Sequence, residues 1–171
     1  MKVEVVPYNY DWQDLFQAEA KQWFDLLNSN VIAIHHIGST AIPNIHAKPI
    51  IDLLIEVKDI NQVDNCNSTI AAKGYGIMGE YGIPGRRYFR KHNSVGIRTY
   101  HIHIYEQNSP QIQRHLAFRD YMRTHPKDAQ KYSQLKQELA KKYPEDIESY
   151  MDGKDKFIKD IDQKASINMR R

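Results

Sequence analysis

The sequence predicts an α+β fold, in which a mixed β-sheet carries packed helices and is followed by a C-terminal helical segment. Before residue 106, short β-branched or alternating runs are typical of strands, and afterwards the apolar period changes from two to 3.6, as in helices. A chain of 171 residues buries about 70% of the surface that it exposes when unfolded, so one domain over 1–171 is expected to hold a core. Its single cysteine, Cys66, excludes an internal disulfide.

The elements of the first two thirds follow from local patterns. Residues 11–27 place Trp12, Leu15 and Trp23 on one apolar face, which predicts an amphipathic helix. Gly74 is a typical helix stop. The predicted elements are a strand over 3–6, a helix over 11–27, strands over 31–37 and 49–57, a helix over 59–73 and a strand over 75–78.

The last third predicts helices over about 109–163. Proline is favoured at the first helical position because its missing N–H would have no helical partner there, so Ser109-Pro110 and residues 124–126 predict helix starts. Pro144 is likewise predicted to start the last helix. Residues 164–171 show no apolar period and are expected to form a frayed tail.

A turn of small residues follows the strand over 31–37. Gly38, Ser39 and Thr40 would expose backbone N–H groups there, and such a turn can hold a phosphate. Lys48 precedes the next strand, where it could reach the same phosphate or simply end the strand. These four residues are candidates for phosphate or substrate binding.

Two acids interrupt the apolar strand over 49–57. With a side-chain period of two, Asp52, Leu54 and Glu56 share one face of this strand. A buried carboxylate is costly unless it meets a cation, a hydrogen-bond donor or water. Asp52 is therefore the candidate catalytic residue, and Glu56 is a secondary candidate.

The Gly-Ser turn and the following strand acid resemble the motif of the DNA polymerase β-type nucleotidyltransferases. In those enzymes the turn holds nucleotide phosphates and strand carboxylates bind magnesium, but they place a second acid where this chain has Leu54. The longer strings GSTAIPNIHAKPIIDLL, RTYHIHIYE and LAFRDYMRTHP resemble the GrpB family, also called UPF0157, over residues 4–143. This resemblance implies a nucleotidyltransferase-like fold, but it does not identify the reaction.

Two histidines alternate on a later strand. His101 and His103 share one face, and the resemblance implies that this strand lies beside Asp52. Two imidazoles and a carboxylate would bind a divalent metal (Mn, Zn or Mg), with nitrogen ligands suiting Zn²⁺ or Mn²⁺ better than Mg²⁺. The alternatives are a solvated pair of histidines, or a pair that hydrogen-bonds to Asp52 without metal.

A basic segment without acids lies between Tyr81 and Tyr105. Arg86, Arg87 and Arg90 could form a phosphate clamp, because the planar guanidinium suits bidentate contacts with phosphate. The alternative is a hairpin with buried aromatic residues and a solvated basic face.

Two further residues are weaker candidates for the site. His36 precedes the glycine turn, and its role could be limited to supporting that turn. Arg119 could reach a phosphate together with Arg123 from one face of a helix, although pairing with surface acids such as Asp120 is preferred.

Charge and hydropathy narrow the expected partners. The net charge of +3 is too small to predict duplex nucleic acid as a partner, whereas a small phosphorylated or nucleotide ligand is compatible with it. No leader and no run of 18 apolar residues is present, so a cytoplasmic protein without a membrane span is expected. Nothing in the sequence indicates an oligomeric state.

The expected function is metal-dependent nucleotidyl or phosphoryl transfer. Two alternatives stay open: a nucleotide- or coenzyme-binding module that has lost catalysis with the missing second acid, and a metal-dependent phosphohydrolase.

Overall fold

The computed structural model describes the backbone of residues 2–169 and the side chains of residues 2–167. It divides into two compact units. The sheet unit comprises Tyr10–Ile37 and Ile50–Ile112, and the helical unit comprises Met1–Asn9, Gly38–Pro49 and Gln113–Arg171.

The sheet at the centre of the sheet unit is mixed, as the sequence predicts, and has five strands. The strand order is β1-β2-β5-β4-β3, in which β2 and β5 are parallel and the other neighbours are antiparallel. The strands are β1 (Val31–Ile37), β2 (Ile51–Val57), β3 (Gly76–Ile77), β4 (Arg87–His92) and β5 (Arg98–Glu106).

The helices of the sheet unit are α1 (Asp11–Leu27), α2 (Ile60–Asp64) and α3 (Asn67–Ala72). Helix α1 has its predicted bounds, and its Trp23 is fully buried against the rings of Tyr75 and Phe89. The inward position predicted for Leu15 is wrong, because its side chain is 44% exposed. The apolar stripe is therefore narrower than the pattern of hydrophobic residues suggested. The single helix predicted over 59–73 is divided between α2 and α3.

Three long helices follow the sheet, as predicted: α4 (Pro110–Thr124), α5 (Pro126–Lys142) and α6 (Ile147–Met169). The start predicted for the last helix is wrong, because Pro144 lies in the turn before α6, which begins at Ile147. In the helical unit, α5 and α6 approach closely at Gly153, where an added Cβ would lie 2.5 Å from a methyl carbon of Leu139. Tyr132 and Phe157 stack at 5.5 Å between ring centroids. Among the described helices, none has the length and apolar character that crossing a membrane requires.

Two predictions at the ends of the chain are wrong. The strand expected over 3–6 is a single bridge between Val6 and Ala47, because the backbone N–H of Val3 instead bonds to the carbonyl oxygen of Pro144. The residues from 164 onward, expected to form a tail, are the end of α6, which continues to Met169. Ala165 is buried in the hydrophobic core of the helical unit. Residues 170 and 171 lie outside the described residues.

Candidate active site

The parallel pairing of β2 with β5 brings an acid and two histidines together. Asp52 pairs with His101, and Leu54 pairs with His103, so these side chains share one face of the sheet. His101 Nδ1 lies 3.3 Å from Asp52 Oδ1, and His103 Nε2 lies 3.2 Å from the same oxygen. Both imidazoles thus meet one carboxylate oxygen.

Arg86 determines the tautomer of His103. Its Nη1 lies 3.3 Å from His103 Nδ1, and a guanidinium can only donate, so Nδ1 accepts this hydrogen bond. Nε2 then carries the proton and donates it to Asp52. Arg86 is only 7% exposed and also donates to the carbonyl oxygens of Glu80 and Tyr81. The sequence did not reveal this positioning role.

His101 presents a different nitrogen to Asp52. Its Nδ1 faces the carboxylate, while its Nε2 is buried without a hydrogen-bond partner among the described residues. The ring of Tyr88 lies beside both imidazoles, with its centroid 5.7 Å from that of His101 and 5.3 Å from that of His103. Tyr88 therefore packs against both rings, on the strand that follows β5 in the sheet order.

Asp52 is ionised at neutral pH. Burial by itself would raise the pKa of Asp52, but hydrogen bonds from His101 and His103 hold that pKa far below its usual range. Both hydrogen bonds go to Oδ1, and no described residue donates to Oδ2. Since the side chain is 23% exposed, a cation or donor from solution can reach this carboxylate.

The three predicted clamp arginines have different surroundings. Arg86 is used to hold His103, and Arg87 forms a bidentate ion pair with Asp64, at 2.7 and 3.1 Å. Arg90 pairs with His101 across β4 and β5, which places it on the face of Asp52. The guanidinium carbon of Arg90 lies over the ring of Tyr81, 5.7 Å from the ring centroid. Arg90 has no side-chain hydrogen bond or ion pair within the described part of the chain. Of the three predicted clamp residues, Arg90 is thus the one whose donors are not used by other side chains of the described residues.

We expect Arg90→Ala to weaken binding of a phosphorylated ligand by about ten- to a hundredfold, since hydrogen bonds to charged groups contribute roughly 1.5–3 kcal/mol. Arg87→Ala is the matched control, because Arg87 lies on the same strand but faces the other side of the sheet. Calorimetric titration of both variants measures the difference. Equal affinities in the two variants would exclude Arg90 as the ligand-binding arginine.

The secondary candidates in the sheet unit lie on opposite faces. His36 is buried on the face opposite Asp52, where its ring stacks on Phe16 with centroids 4.8 Å apart. Glu56 is on the face of Asp52, with the fully buried Leu54 between them along the strand. Glu56 is therefore the secondary candidate that shares the face of the Asp52 site.

The other candidates belong to the helical unit. Gly38 has a φ of 76°, which favours glycine, and starts a turn in which the backbone N–H of Ala41 bonds to its carbonyl oxygen. Thr40 is buried within that turn. Arg123 donates a hydrogen bond to the carbonyl oxygen of Ala41. Neither of the two roles considered for Arg123, contact with a phosphate or pairing with a surface acid, predicted this contact.

Arg119 pairs with a surface acid, as preferred from the sequence. Its Nε and Nη2 lie 3.0 and 2.9 Å from Asp120 Oδ1. Lys48 is half-buried, with its Nζ 5.5 Å from the ring centroid of Tyr150.

The donor set of the Asp52 site fits only one kind of metal binding. Within the described residues, no three His, Cys, Asp or Glu side chains are arranged to hold an ion by themselves. His103 could ligate through Nε2 only if its proton moved to Nδ1, where the donors of Arg86 oppose it. Asp52 Oδ2 alone would suit an ion such as Mg²⁺ or Mn²⁺, which can take most of its ligands from water or from a bound molecule.

Comparisons with known proteins agree on one family. The family model described as GrpB protein matches residues 2–164. The chain is 48% identical over 164 residues to the UPF0157 protein YqkA of Bacillus subtilis, covering 96% of this chain but 47% of that protein, so it spans about half the length of this relative. It is 32% identical to the Glutamate-rich protein GrpB of Alkalihalophilus pseudofirmus, with 94% of each chain covered.

A solved structure is also similar. The crystal structure of conserved protein GrpB from Enterococcus faecalis matches with a TM-score of 0.94 and 43% sequence identity. The match covers 98% of this chain and 100% of the other. The arrangement of sheet and helices is therefore shared with that protein.

Proposed function

The chain belongs to the GrpB family, and from that premise and the surroundings of Asp52 we propose that it is a nucleotidyl- or phosphoryl-transferase acting on a small phosphorylated or nucleotide substrate. In this proposal its mixed sheet is of the nucleotidyltransferase-like kind. The observation that carries the proposal is an ionised carboxylate whose Oδ1 is held by two imidazoles, while no described residue bonds to its Oδ2.

The depressed pKa of Asp52 indicates which of two catalytic roles this carboxylate would have, that of a proton acceptor or that of a ligand for a cation. A general base works best with a pKa near the operating pH, so a carboxylate held far below its usual range is a poor proton acceptor. A permanently ionised oxygen is instead suited to holding a cation. When bound, Mg²⁺ or Mn²⁺ would neutralise charge that develops on the transferring phosphoryl group.

The neighbouring residues support that carboxylate. His101 and His103 fix its orientation and keep it ionised, and Arg86 holds His103 in the donor tautomer. Arg90, on the same face, would donate from its planar guanidinium to a substrate phosphate. Together they would orient the phosphate beside an ionised carboxylate.

A binding module without catalysis is the second candidate, and Leu54 favours it. A two-metal transfer site holds its ions roughly 3.5–4 Å apart with acids bridging them, and the fully buried Leu54 replaces the acid expected there. One metal held by Asp52 is compatible with transfer, but so is simple binding of a nucleotide or coenzyme. A phosphohydrolase would use the same carboxylate with water as the acceptor.

A thermal-shift matrix tests the proposal. Nucleotides and coenzyme A precursors would be screened with and without Mg²⁺, Mn²⁺ and Zn²⁺, because a ligand that binds only the native state raises the melting temperature. We expect stabilisation that requires ligand and Mg²⁺ or Mn²⁺ together, followed by release of pyrophosphate or phosphate in ³¹P NMR spectra. Stabilisation that is independent of metal, with unchanged phosphorus signals, would contradict transfer and favour the binding module.

A further inference from the structure

Three lysines surround two tyrosines in the helical unit. Lys136 lies on α5, Lys154 lies on α6, and Lys48 lies in the segment Gly38–Pro49. The Nζ atoms of Lys48 and Lys154 are 5.5 and 4.9 Å from the ring centroid of Tyr150, and Lys136 Nζ is 4.5 Å from that of Tyr132. We call these five residues the lysine cluster.

Two buried polar atoms of the lysine cluster have no hydrogen-bond partner among the described residues. Lys136 is 1% exposed, and its Nζ makes no hydrogen bond there. The hydroxyl of the fully buried Tyr150 makes none either. A buried amino group without a hydrogen-bond acceptor destabilises a fold, and more so when it is protonated, so this arrangement favours a bound group that accepts from it.

The charges within the lysine cluster are of one sign. Burial, together with the positive charges of Lys154 and Lys48, lowers the pKa of Lys136 to about 6, so its amino group is largely neutral at pH 7 until an anion binds. Lys154 is nearly buried as well, whereas Lys48 is half-buried and gives the cluster a side open to solvent. A group with two negative charges would offset this repulsion and accept hydrogen bonds from the lysines.

We propose that the lysine cluster is a binding site for a phosphate group, with Lys136 as its innermost ligand and the Tyr150 hydroxyl as an additional donor. A phosphate oxygen can accept from several ammonium groups at once, which a single carboxylate does less well. Only Lys48 of this cluster was indicated by the sequence. This proposal does not depend on transfer chemistry at Asp52, because it concerns binding alone.

The test is calorimetric titration of the full chain with pyrophosphate and with inorganic phosphate, and with acetate as a carboxylate comparison. We expect wild-type protein and Lys141→Met, an exposed control on α5, to bind pyrophosphate equally. Lys136→Met is expected to bind it about tenfold or more weakly, since it removes a charged donor. Without anion, Lys136→Met should melt at a higher temperature than wild type, because a buried amino group without a hydrogen-bond partner is replaced by an apolar side chain of similar length.

Three results would overturn the proposal. These are no binding of either phosphate species by wild type, unchanged pyrophosphate affinity in Lys136→Met, and acetate binding as tight as that of phosphate. Should Lys136→Met lose its cooperative melting transition, Lys154→Met takes its place, and wild-type affinity in that variant would overturn the site. Because the titrations measure anion binding and not enzymatic turnover, failure of the proposed transferase activity would not change their result.

Discussion

Asp52→Asn is expected to lower the rate of transfer by about a thousandfold or more, while the protein remains folded. Removing a group that stabilises transition-state charge costs roughly 10²–10³ in rate, and loss of the charge that holds a metal ion adds to this. Asparagine has the same shape as aspartate but carries no charge; its Oδ1 can still accept from the two histidines, while a donor NH2 replaces the Oδ2 that would hold a cation. The rate would be measured with the ligand identified by the thermal-shift matrix.

Glu56→Gln is the matched control for Asp52→Asn. Glu56 lies on the same strand and the same face, and the variant makes the same change of charge. Wild-type turnover in Glu56→Gln with none in Asp52→Asn would assign the effect to position 52. Comparable turnover in Asp52→Asn and wild type would contradict a catalytic Asp52.

The stability of Asp52→Asn should differ from that of wild type in a pH-dependent way. The folded-state pKa of Asp52 is depressed, so its carboxylate stabilises the fold fully above the unfolded pKa of about 3.9. That contribution is lost as the pH falls toward the folded pKa. Urea unfolding across the acidic range should therefore show the two free energies of unfolding converging as the solution becomes more acidic.

Arg86→Met is expected to destabilise the protein by about 2–4 kcal/mol and to reduce activity as well, since buried hydrogen bonds to a charged group are lost. The change leaves two carbonyl oxygens and His103 Nδ1 without their donor. His103 would then be free to change tautomer and present an acceptor to Asp52. Urea unfolding measures the first effect, and ¹⁵N NMR of the histidine ring measures the tautomer.

Arg87→Met separates the role of Arg86 from a general effect of charge. Arg87 is the adjacent residue, and its ion pair with Asp64 is partly exposed, so its loss should cost about 1 kcal/mol or less. It should also leave the His103 tautomer unchanged. An unaltered tautomer in Arg86→Met would show that Arg86 does not set the proton position.

The sequence was sufficient for most local elements. Helix α1 and strand β1 have the predicted bounds because their apolar periods are long and uninterrupted. The shared face of His101 and His103 also follows from alternation alone. The strand expected over 3–6 failed because a short run does not specify its partner, and Val6 finds only one bridge, to Ala47.

The roles of the basic residues depended on contacts between distant parts of the chain. Arg86 and Arg87 are adjacent and chemically identical, yet one is buried against His103 and the other pairs with Asp64. No local pattern distinguishes them, because each partner lies on another element. The same is true of Lys136 and Lys154, which resemble the exposed lysines around them in the sequence.

The sequence by itself determined the α+β class, the alternation that places Asp52 and the two histidines on defined strand faces, and the family resemblance. Only the tertiary structure decided that both imidazoles meet one carboxylate oxygen, that Arg86 sets the tautomer of His103, and that three lysines gather around Tyr132 and Tyr150. The physical reason is the range of the interactions. Periodicity is set by the local backbone geometry, whereas burial and pairing of charges depend on which distant segments pack together.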